Sequence, residues 1–150
     1  MRTPVYRPTD QTRFGAPFGN CLEAAIATLV GVSTLDVPDP RKRLGGTDSA
    51  LRRRIPAMRR WLVTEFGLTL ETGWGAFPPI IATLPRDVRQ DQGWIASGMT
   101  ARGLPHAVVY AGVPGSLIHD PHPSRMGVRE VTRWYILVPA QRTTTQEFSP

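Results

Sequence analysis

The sequence predicts an α+β fold, with two helices in the first half of the chain and an antiparallel sheet in the second half. In the first half, apolar residues recur at helical spacing over residues 20–31 and 49–67, and each stretch ends at a glycine. From residue 94 onward, short runs rich in β-branched and aromatic residues alternate with glycine and proline turns. Tandem hairpins of this kind build an antiparallel sheet. We expect its strands at residues 94–97, 106–110, 116–120 and 128–138.

The first helical stretch carries a marker at each end. Asn20 is a preferred N-cap, Glu23 places negative charge in the first turn, and Gly31 is a natural residue just past a C-terminus. Cys21 lies in the first turn, where unpaired backbone N–H groups and the helix dipole favour a thiolate. A nucleophilic cysteine needs that environment. The apolar face of the helix is formed by Leu22, Ile26, Leu29 and Val30.

Two interpretations of Cys21 are open from this stretch alone. A lone cysteine is often a small buried hydrophobe, and less often a nucleophile. The downstream residues favour the nucleophile, because His106 opens one predicted strand and Asp120 closes the next. A cysteine at a helix start, followed by histidine and aspartate on neighbouring strands, is the order of a Cys-His-Asp nucleophilic site.

The segments on either side of this helix are irregular. Residues 1–18 hold three prolines and predict an extended arm, with Tyr6 and Phe18 as its anchors on the body. After the helix, Ser33 or Thr34 is expected to cap a short helical turn.

The second helical stretch follows a basic loop predicted at residues 41–46. Pro56 is suited to a first helical turn, so the well-formed part of this helix is expected to begin there. The arginines beside it predict a solvated helix face, because no aromatic residues interleave them for base stacking. They are Arg52, Arg53, Arg54, Arg59 and Arg60.

A short strand and a long connection are predicted before the sheet, and a tight turn is predicted within it. Residues 68–71 alternate like a short strand, and residues 73–92 form a long, proline-containing connection of the kind that often borders a functional site. Residues 112–115, Gly-Val-Pro-Gly, have the composition of a hairpin turn.

Length and composition are those of one globular domain. With 150 residues, of which 41% are hydrophobic, the chain can bury a core without disulfides or metal ions. We expect a single domain over residues 1–140 and a polar C-terminal tail over residues 141–150. No apolar run approaches the ~20 residues of a membrane span, and the N-terminus lacks the apolar segment of a signal peptide. With a single cysteine, these features predict a cytoplasmic protein with no membrane partner.

The chain is basic, with a formal net charge of +6, and Lys42 is its only lysine. A basic surface attracts nucleic acid, acidic proteins or anionic lipid. Arginine dominance also follows from a GC-rich genome, and we favour that explanation. A nucleic-acid partner is therefore open but not favoured.

Three motifs together resemble the papain-like cysteine peptidase superfamily. They are Gly19-Asn-Cys-Leu-Glu-Ala-Ala-Ile-Ala-Thr-Leu, Pro105-His-Ala-Val-Val-Tyr and Ile118-His-Asp-Pro. Within this superfamily, the chain is most similar to the compact bacteriocin-leader (double-glycine) peptidases and to small phage-encoded proteins of that kind. The resemblance implies that the cysteine helix packs against the antiparallel sheet. For a phage-encoded protein, the compartment would be the host cytoplasm.

The resemblance also implies a role for each motif residue. Cys21 would be the nucleophile, His106 the base, and Asp120 the group that orients the imidazole. The chemistry of these side chains agrees, because a thiolate–imidazolium pair activates sulfur near neutral pH and a carboxylate fixes the histidine tautomer.

The oxyanion hole is where the sequence departs from the family. The backbone N–H of Cys21 is well placed for one arm of it. Papain-like enzymes supply a glutamine about six residues before the cysteine for the other arm, and here that position is Gly15. The candidates that remain are Gln11, brought in by a longer loop, and Asn20.

Two further histidines, His119 and His122, flank Asp120. On a strand, His119 points away from Asp120, so only one of the two can face the site. A metal site that uses His106, His122 and Asp120, with Cys21 as a further ligand, is not favoured, because no C-x-x-C or H-x-x-x-H pair is present. Residues 120–124, Asp-Pro-His-Pro-Ser, predict a rigid turn that could by itself account for Asp120. We favour orientation of the imidazole as the role of Asp120.

The residues therefore predict a cysteine hydrolase of peptidase or isopeptidase type. It would cleave an amide bond in a peptide or protein through a thioester intermediate, with no cofactor. Two alternatives stay open: a catalytically inactive papain-like binding module, and an arginine-rich nucleic-acid-associated phage protein. The same three side chains serve peptidases, deamidases, transferases and deconjugating enzymes, so the substrate and the oligomeric state stay open too.

Overall fold

A five-stranded antiparallel sheet is the central element of this computed structural model, which describes residues 1–141. Its strands are β1 (Leu68–Trp74), β2 (Gly93–Met99), β3 (Pro105–Ala111), β4 (Ser116–His119) and β5 (Glu130–Pro139). Residues 142–150, nearly all of the predicted tail 141–150, lie outside the described residues.

The strand order β1–β5–β2–β3–β4 combines a local hairpin with a long-range pairing. β3 and β4 form the predicted hairpin around residues 112–115. β5, however, returns to lie between β1 and β2. The sheet is thus antiparallel as predicted, but it is not a simple succession of hairpins.

The helices within the described residues are α1 (Cys21–Val30), α2 (Arg41–Leu44), α3 (Asp48–Phe66) and α4 (Arg86–Arg89). Short 3₁₀ helices lie at Thr34–Asp36 and Pro79–Thr83. α1 ends as predicted, because Gly31 adopts a left-handed φ of 82° and donates its N–H to the Ala27 carbonyl. Ser33 caps the first 3₁₀ helix by accepting a hydrogen bond from the Leu35 N–H.

The predicted start of the second helix at Pro56 is wrong. α3 begins at Asp48, and the Thr47 side chain caps it by accepting a hydrogen bond from the Ala50 N–H. An internal proline removes one helical hydrogen bond. Ala50 and Met58, which are fully buried on either side of Pro56, hold the helix on the body across that gap.

The two basic segments are also less exposed than the sequence indicates. Residues 41–46, predicted as a loop, contain α2, and Arg41 is buried. On α3, Arg54 pairs with Glu23, and Arg59 donates to the Leu70 carbonyl. Only part of the arginine face is therefore solvated.

Each face of the sheet carries its own hydrophobic core. On the side of α1 and α3, Ile26 and Leu62 pack with sheet residues that include Ile95 and Val109. On the other side, Trp94 and its neighbours pack against Ile81, from the connection between β1 and β2. Trp94 and Ile95 are neighbours in β2 and therefore point to opposite faces, so each belongs to a different core. The two longer helices are thus packed on one face of the sheet, with α1 over β2 and β3 and α3 beside β1.

The N-terminal arm runs along α1 and is held by its backbone. The Val5 N–H donates to the Val30 carbonyl, and the Arg7 N–H donates to the Thr28 carbonyl. The predicted anchors Tyr6 and Phe18 are 44% and 43% exposed, and the Tyr6 hydroxyl donates to the Ile118 carbonyl on the body at 3.5 Å. Backbone hydrogen bonds can fix an extended segment beside a helix end without any buried side chain.

Within residues 1–141, no helix combines the length and the apolar character needed to cross a membrane.

Candidate active site

Cys21 is the first residue of α1 and lies at the surface end of a buried helix. Ala25, Ile26 and Ala27 are fully buried, whereas Cys21 is partly exposed. The small alanines allow α1 to approach the sheet closely, which fixes the position of its first turn. The Cys21 N–H has no protein acceptor among the described residues, as expected for the first N–H of a helix.

His106 and Asp120 form a buried pair on the sheet side of the site. His106 is the second residue of β3, and Asp120 follows directly after β4. The His106 Nε2 atom lies 2.6 Å from Asp120 Oδ1. Because Nε2 faces the carboxylate, Nδ1 is the ring nitrogen left for the Cys21 sulfur.

The charges of this pair are set by its neighbours. Burial by itself lowers the pKa of His106, but the hydrogen bond to Asp120 and the nearby Cys21 sulfur outweigh it and raise this pKa to about 9. Burial likewise favours a higher pKa for Asp120. Hydrogen bonds from His106 and from two backbone N–H groups overcome that effect and hold the Asp120 pKa below its ordinary value. At neutral pH the site therefore contains an imidazolium between a carboxylate and the sulfur.

Asp120 also organises the turn that follows it. Its Oδ1 atom accepts the His122 N–H at 2.9 Å, and its Oδ2 atom accepts the Gly127 N–H at 2.7 Å. Turn formation and contact with His106, weighed above as alternatives, are thus combined in one carboxylate. Satisfying both oxygens keeps the Asp120 side chain in one orientation toward the imidazole.

His119 lies apart from this pair, as strand alternation predicts. Its Nε2 atom is 3.0 Å from the Thr9 carbonyl oxygen and 3.2 Å from Asp10 Oδ1. Its contacts are therefore with the N-terminal arm rather than with His106. Arg125 also binds Asp10 and reaches the Asp120 carbonyl, which ties the arm to the turn.

His122 approaches the site in a way that the sequence did not indicate. Its ring lies edge-on to the His106 ring, with centroids 5.9 Å apart, and edge-on to Phe14 at 5.4 Å. Its Nε2 atom is 3.2 Å from the Arg102 guanidinium. His122 thus covers one edge of the His106 imidazole. In the sequence, the only feature that pointed to this contact was the position of His122 in the proline-containing turn after Asp120.

Gln11 is brought to the site by the longer loop that its sequence position requires. It is buried, and its backbone N–H donates to the Pro121 carbonyl on the sheet side. Its side-chain Nε2 donates at 2.9 Å to the Arg13 carbonyl, which also accepts the Asn20 N–H. The Gln11 amide therefore lies beside the start of α1. Its Oε1 atom is buried without a hydrogen-bond partner among the described residues.

Asn20 is the N-cap residue of α1, as predicted, but its side chain does not act as the cap. Its side chain makes no capping hydrogen bond to α1. Instead Oδ1 accepts the N–H groups of Thr12 and Arg13 at 2.9 and 3.0 Å, and Nδ2 donates to the Thr12 hydroxyl. Asn20 therefore holds the loop that carries Gln11, because that loop offers it two backbone donors at once.

A buried ion-pair network supports the helix side of the site and was missed by the sequence reasoning. Arg41 Nη2 contacts Glu23 Oε1 and Asp39 Oδ2, both at 2.8 Å. Arg41 Nη1 donates to the carbonyls of Pro17 and Gly19, directly before the cysteine helix. The three charged side chains are at most 2% exposed. In the sequence, Arg41 looks the same as the exposed basic residues that follow it, so nothing there indicates that it is buried.

Within residues 1–141, no three His, Cys, Asp or Glu side chains are grouped so that they could hold a metal ion. The chain matches no protein-family model, no curated protein and no solved structure.

Proposed function

We propose that this protein is a papain-like cysteine hydrolase that cleaves an amide or isopeptide bond in a peptide or protein. The observation that carries the proposal is the position of the His106 ring, which binds Asp120 at 2.6 Å and lies close enough to the Cys21 sulfur for that sulfur to raise the His106 pKa. A nucleophile, a proton carrier and an orienting carboxylate in that order are the parts of a nucleophilic acyl-transfer site.

The first half of the reaction transfers the acyl group to sulfur. The Cys21 thiolate attacks the amide carbonyl and forms a tetrahedral oxyanion. His106, already protonated, gives its Nδ1 proton to the leaving nitrogen as the carbon–nitrogen bond breaks. The amine departs, and a thioester on Cys21 remains.

The second half uses the same groups in reverse order. Neutral His106 takes a proton from water, and the water oxygen attacks the thioester carbonyl. Collapse of the second tetrahedral intermediate releases the carboxylic acid and restores the thiolate–imidazolium pair. Asp120 stays ionised throughout and holds Nε2, so that Nδ1 always faces the sulfur.

Two donors are suited to stabilise the oxyanion. One is the Cys21 N–H, which has no protein acceptor among the described residues. We favour the Gln11 amide as the other, because it is buried beside the start of α1 and keeps one Nε2 hydrogen free of its bond to Arg13. Asn20 is less suited, since its amide holds the preceding loop.

Alkylation of Cys21 by iodoacetamide at about pH 6 tests the proposal without knowledge of the substrate, because only an activated cysteine reacts quickly there. We expect fast alkylation of the wild-type protein and slow alkylation of His106→Ala. His119→Gln is the matched control, since this histidine contacts the arm instead. If wild type reacts as slowly as a simple thiol, the site is that of an inactive binding module.

A further inference from the structure

A second, open pocket lies on the helix side of the molecule, where α2 meets α3. Its volume is about 290 Å³. One wall is apolar and includes Pro38, Pro40 and Leu44. Three arginines line the pocket, Arg43 from α2 together with Arg53 and Arg60 from α3. Arg53 and Arg60 are seven residues apart, which places them on one face of the helix.

These three arginines differ from the two nearby arginines that the fold pairs with carboxylates. Within residues 1–141, Arg43, Arg53 and Arg60 form no salt bridge, and all three are exposed. Arg41 and Arg54, by contrast, are used by the fold in ion pairs with Glu23. The pocket thus brings together three cations that have no carboxylate to balance them.

The one carboxylate in the pocket lining, Asp39, is already occupied. Its side chain is 1% exposed and is bound by the guanidinium groups of Arg41 and Arg13. It therefore cannot neutralise Arg43, Arg53 or Arg60 as well. Three like charges around one cavity repel each other, and an anion between them relieves that repulsion.

We propose that this pocket is a binding site for a dianionic phosphate monoester group. A phosphate monoester carries about −1.5 to −2 charges near neutral pH and has three acceptor oxygens, which suit three guanidinium donors. A single carboxylate would leave two of the three cations unbalanced. Arginine is also the side chain whose planar fork matches phosphate oxygens in pairs.

The shape of the pocket favours a phosphate on a small molecule over a nucleic-acid backbone. The arginines line a concavity with proline walls rather than an open row. The aromatic residue on this part of α3, Trp61, packs edge-on against Phe66 and is only partly exposed. Sequence-independent nucleic-acid surfaces combine a basic track with aromatic residues for base stacking.

Binding would join α2 to α3, because the lining arginines come from both helices. A ligand that binds only the folded state raises the melting temperature with its concentration. We therefore expect inorganic phosphate, and more strongly adenosine 5′-monophosphate, to raise the melting temperature above that in chloride at equal ionic strength. Isothermal titration gives the affinity for the nucleotide directly.

The deciding comparison uses two neighbouring arginines of α3. Arg53→Gln should weaken nucleotide binding by about tenfold, the loss expected for one charge-assisted hydrogen-bond pair. Arg52→Gln is the matched control, since Arg52 is exposed on the same helix but does not line the pocket, and it should leave the affinity unchanged. Both side chains are exposed, so neither variant endangers the fold.

Three results would overturn the proposal. The first is a melting temperature equal in phosphate and chloride at matched ionic strength. The second is an equal loss of affinity in Arg52→Gln and Arg53→Gln, which would mark general charge attraction. The third is duplex DNA that binds more tightly than the nucleotide and depends on both arginines, which would identify a nucleic-acid surface. None of these readouts depends on hydrolysis, so they separate this pocket from the proposed active site.

Discussion

Two buried charge clusters lie on opposite sides of the candidate site, and they differ in how completely they are satisfied. On the helix side, Arg41 uses its Nε, Nη1 and Nη2 atoms on Asp39, Glu23 and the Pro17 and Gly19 carbonyls. On the sheet side, Asp120 is fully bonded, but His106 keeps one ring nitrogen beside the sulfur. All polar atoms of the first cluster have partners within the fold, whereas the second cluster ends at the partly exposed Cys21 sulfur.

This difference shows that a buried charge by itself does not mark catalysis. Structural ion pairs perturb ionisable groups as strongly as active sites do. The two clusters differ in whether one of their groups can transfer a proton to a bound molecule. The His106 ring has a nitrogen available for such a transfer, whereas the Arg41 cluster has none. We therefore expect changes in the sheet-side cluster to affect hydrolysis and the reactivity of Cys21, and changes in the helix-side cluster to affect the free energy of unfolding.

The largest expected effect is on turnover. Cys21→Ala should abolish hydrolysis of any substrate of the protein, because no other side chain supplies the thiolate for a thioester. Its free energy of unfolding should fall by no more than about 1–2 kcal/mol, since one sulfur at a helix start is removed. Peptide hydrolysis and a thermal melt measure the two effects. Full activity would end the proposed mechanism, and a collapsed melt would assign Cys21 to the core.

The helix-side cluster should respond in the opposite way. Arg41→Met leaves the buried carboxylates of Glu23 and Asp39 without their shared partner, so the free energy of unfolding should fall by about 3–5 kcal/mol. Chemical denaturation measures this loss. Lys42→Met, at the exposed neighbouring position, is the control and should stay within about 0.5 kcal/mol of wild type. Equal stability of the two variants would contradict the structural role of the cluster.

Asp120 should show both kinds of effect, each of smaller size. Asp120→Ala should lower the free energy of unfolding by about 1–3 kcal/mol, because the buried N–H of Gly127 loses its acceptor. Alkylation of Cys21 should slow less than in His106→Ala, since orientation is lost while the proton carrier remains. Asp120→Asn keeps the oxygen that accepts a turn hydrogen bond and should recover stability more than reactivity. If Asp120→Asn restored the free energy of unfolding and the alkylation rate of Cys21 to the same extent, Asp120 would act only in forming the turn.

The last prediction concerns pH. The pKa of His106 is raised from 6.5 to about 9 in the folded protein, so the protonated ring favours folding. This contribution should be fully present below pH 6.5 and should be lost as the pH rises toward 9. Denaturation midpoints across that range should fall for wild type and fall less for His106→Gln. Parallel slopes for the two proteins would show that His106 is not held as an imidazolium.

Some features of the site could be read from short stretches of sequence because they are local. Gly31 ends α1, and residues 112–115 turn one strand into the next, since each depends on backbone conformations that neighbouring residues set. The order of Cys21, His106 and Asp120 follows from the same local patterns, which place them at a helix start and at strand ends.

The direction of His106 is an intermediate case. Strand alternation predicts side-chain directions in the middle of β3, where Val108 and Val109 belong to different cores. His106 lies at the strand end, opposite Gly98, where the register of β2 against β5 shifts. At such an irregular point the alternation no longer decides where a side chain points.

The sequence by itself determined the α+β class, the ends of α1, the β3–β4 hairpin and the chain order of the three candidate residues. Tertiary structure alone decided that β5 lies between β1 and β2, that the Asn20 side chain binds a loop instead of capping α1, and that Arg41 is buried. The physical reason is the separation of the partners along the chain. A cap or a turn is chosen among a few neighbouring groups, whereas these pairings depend on which distant donors and acceptors the packed core brings within reach.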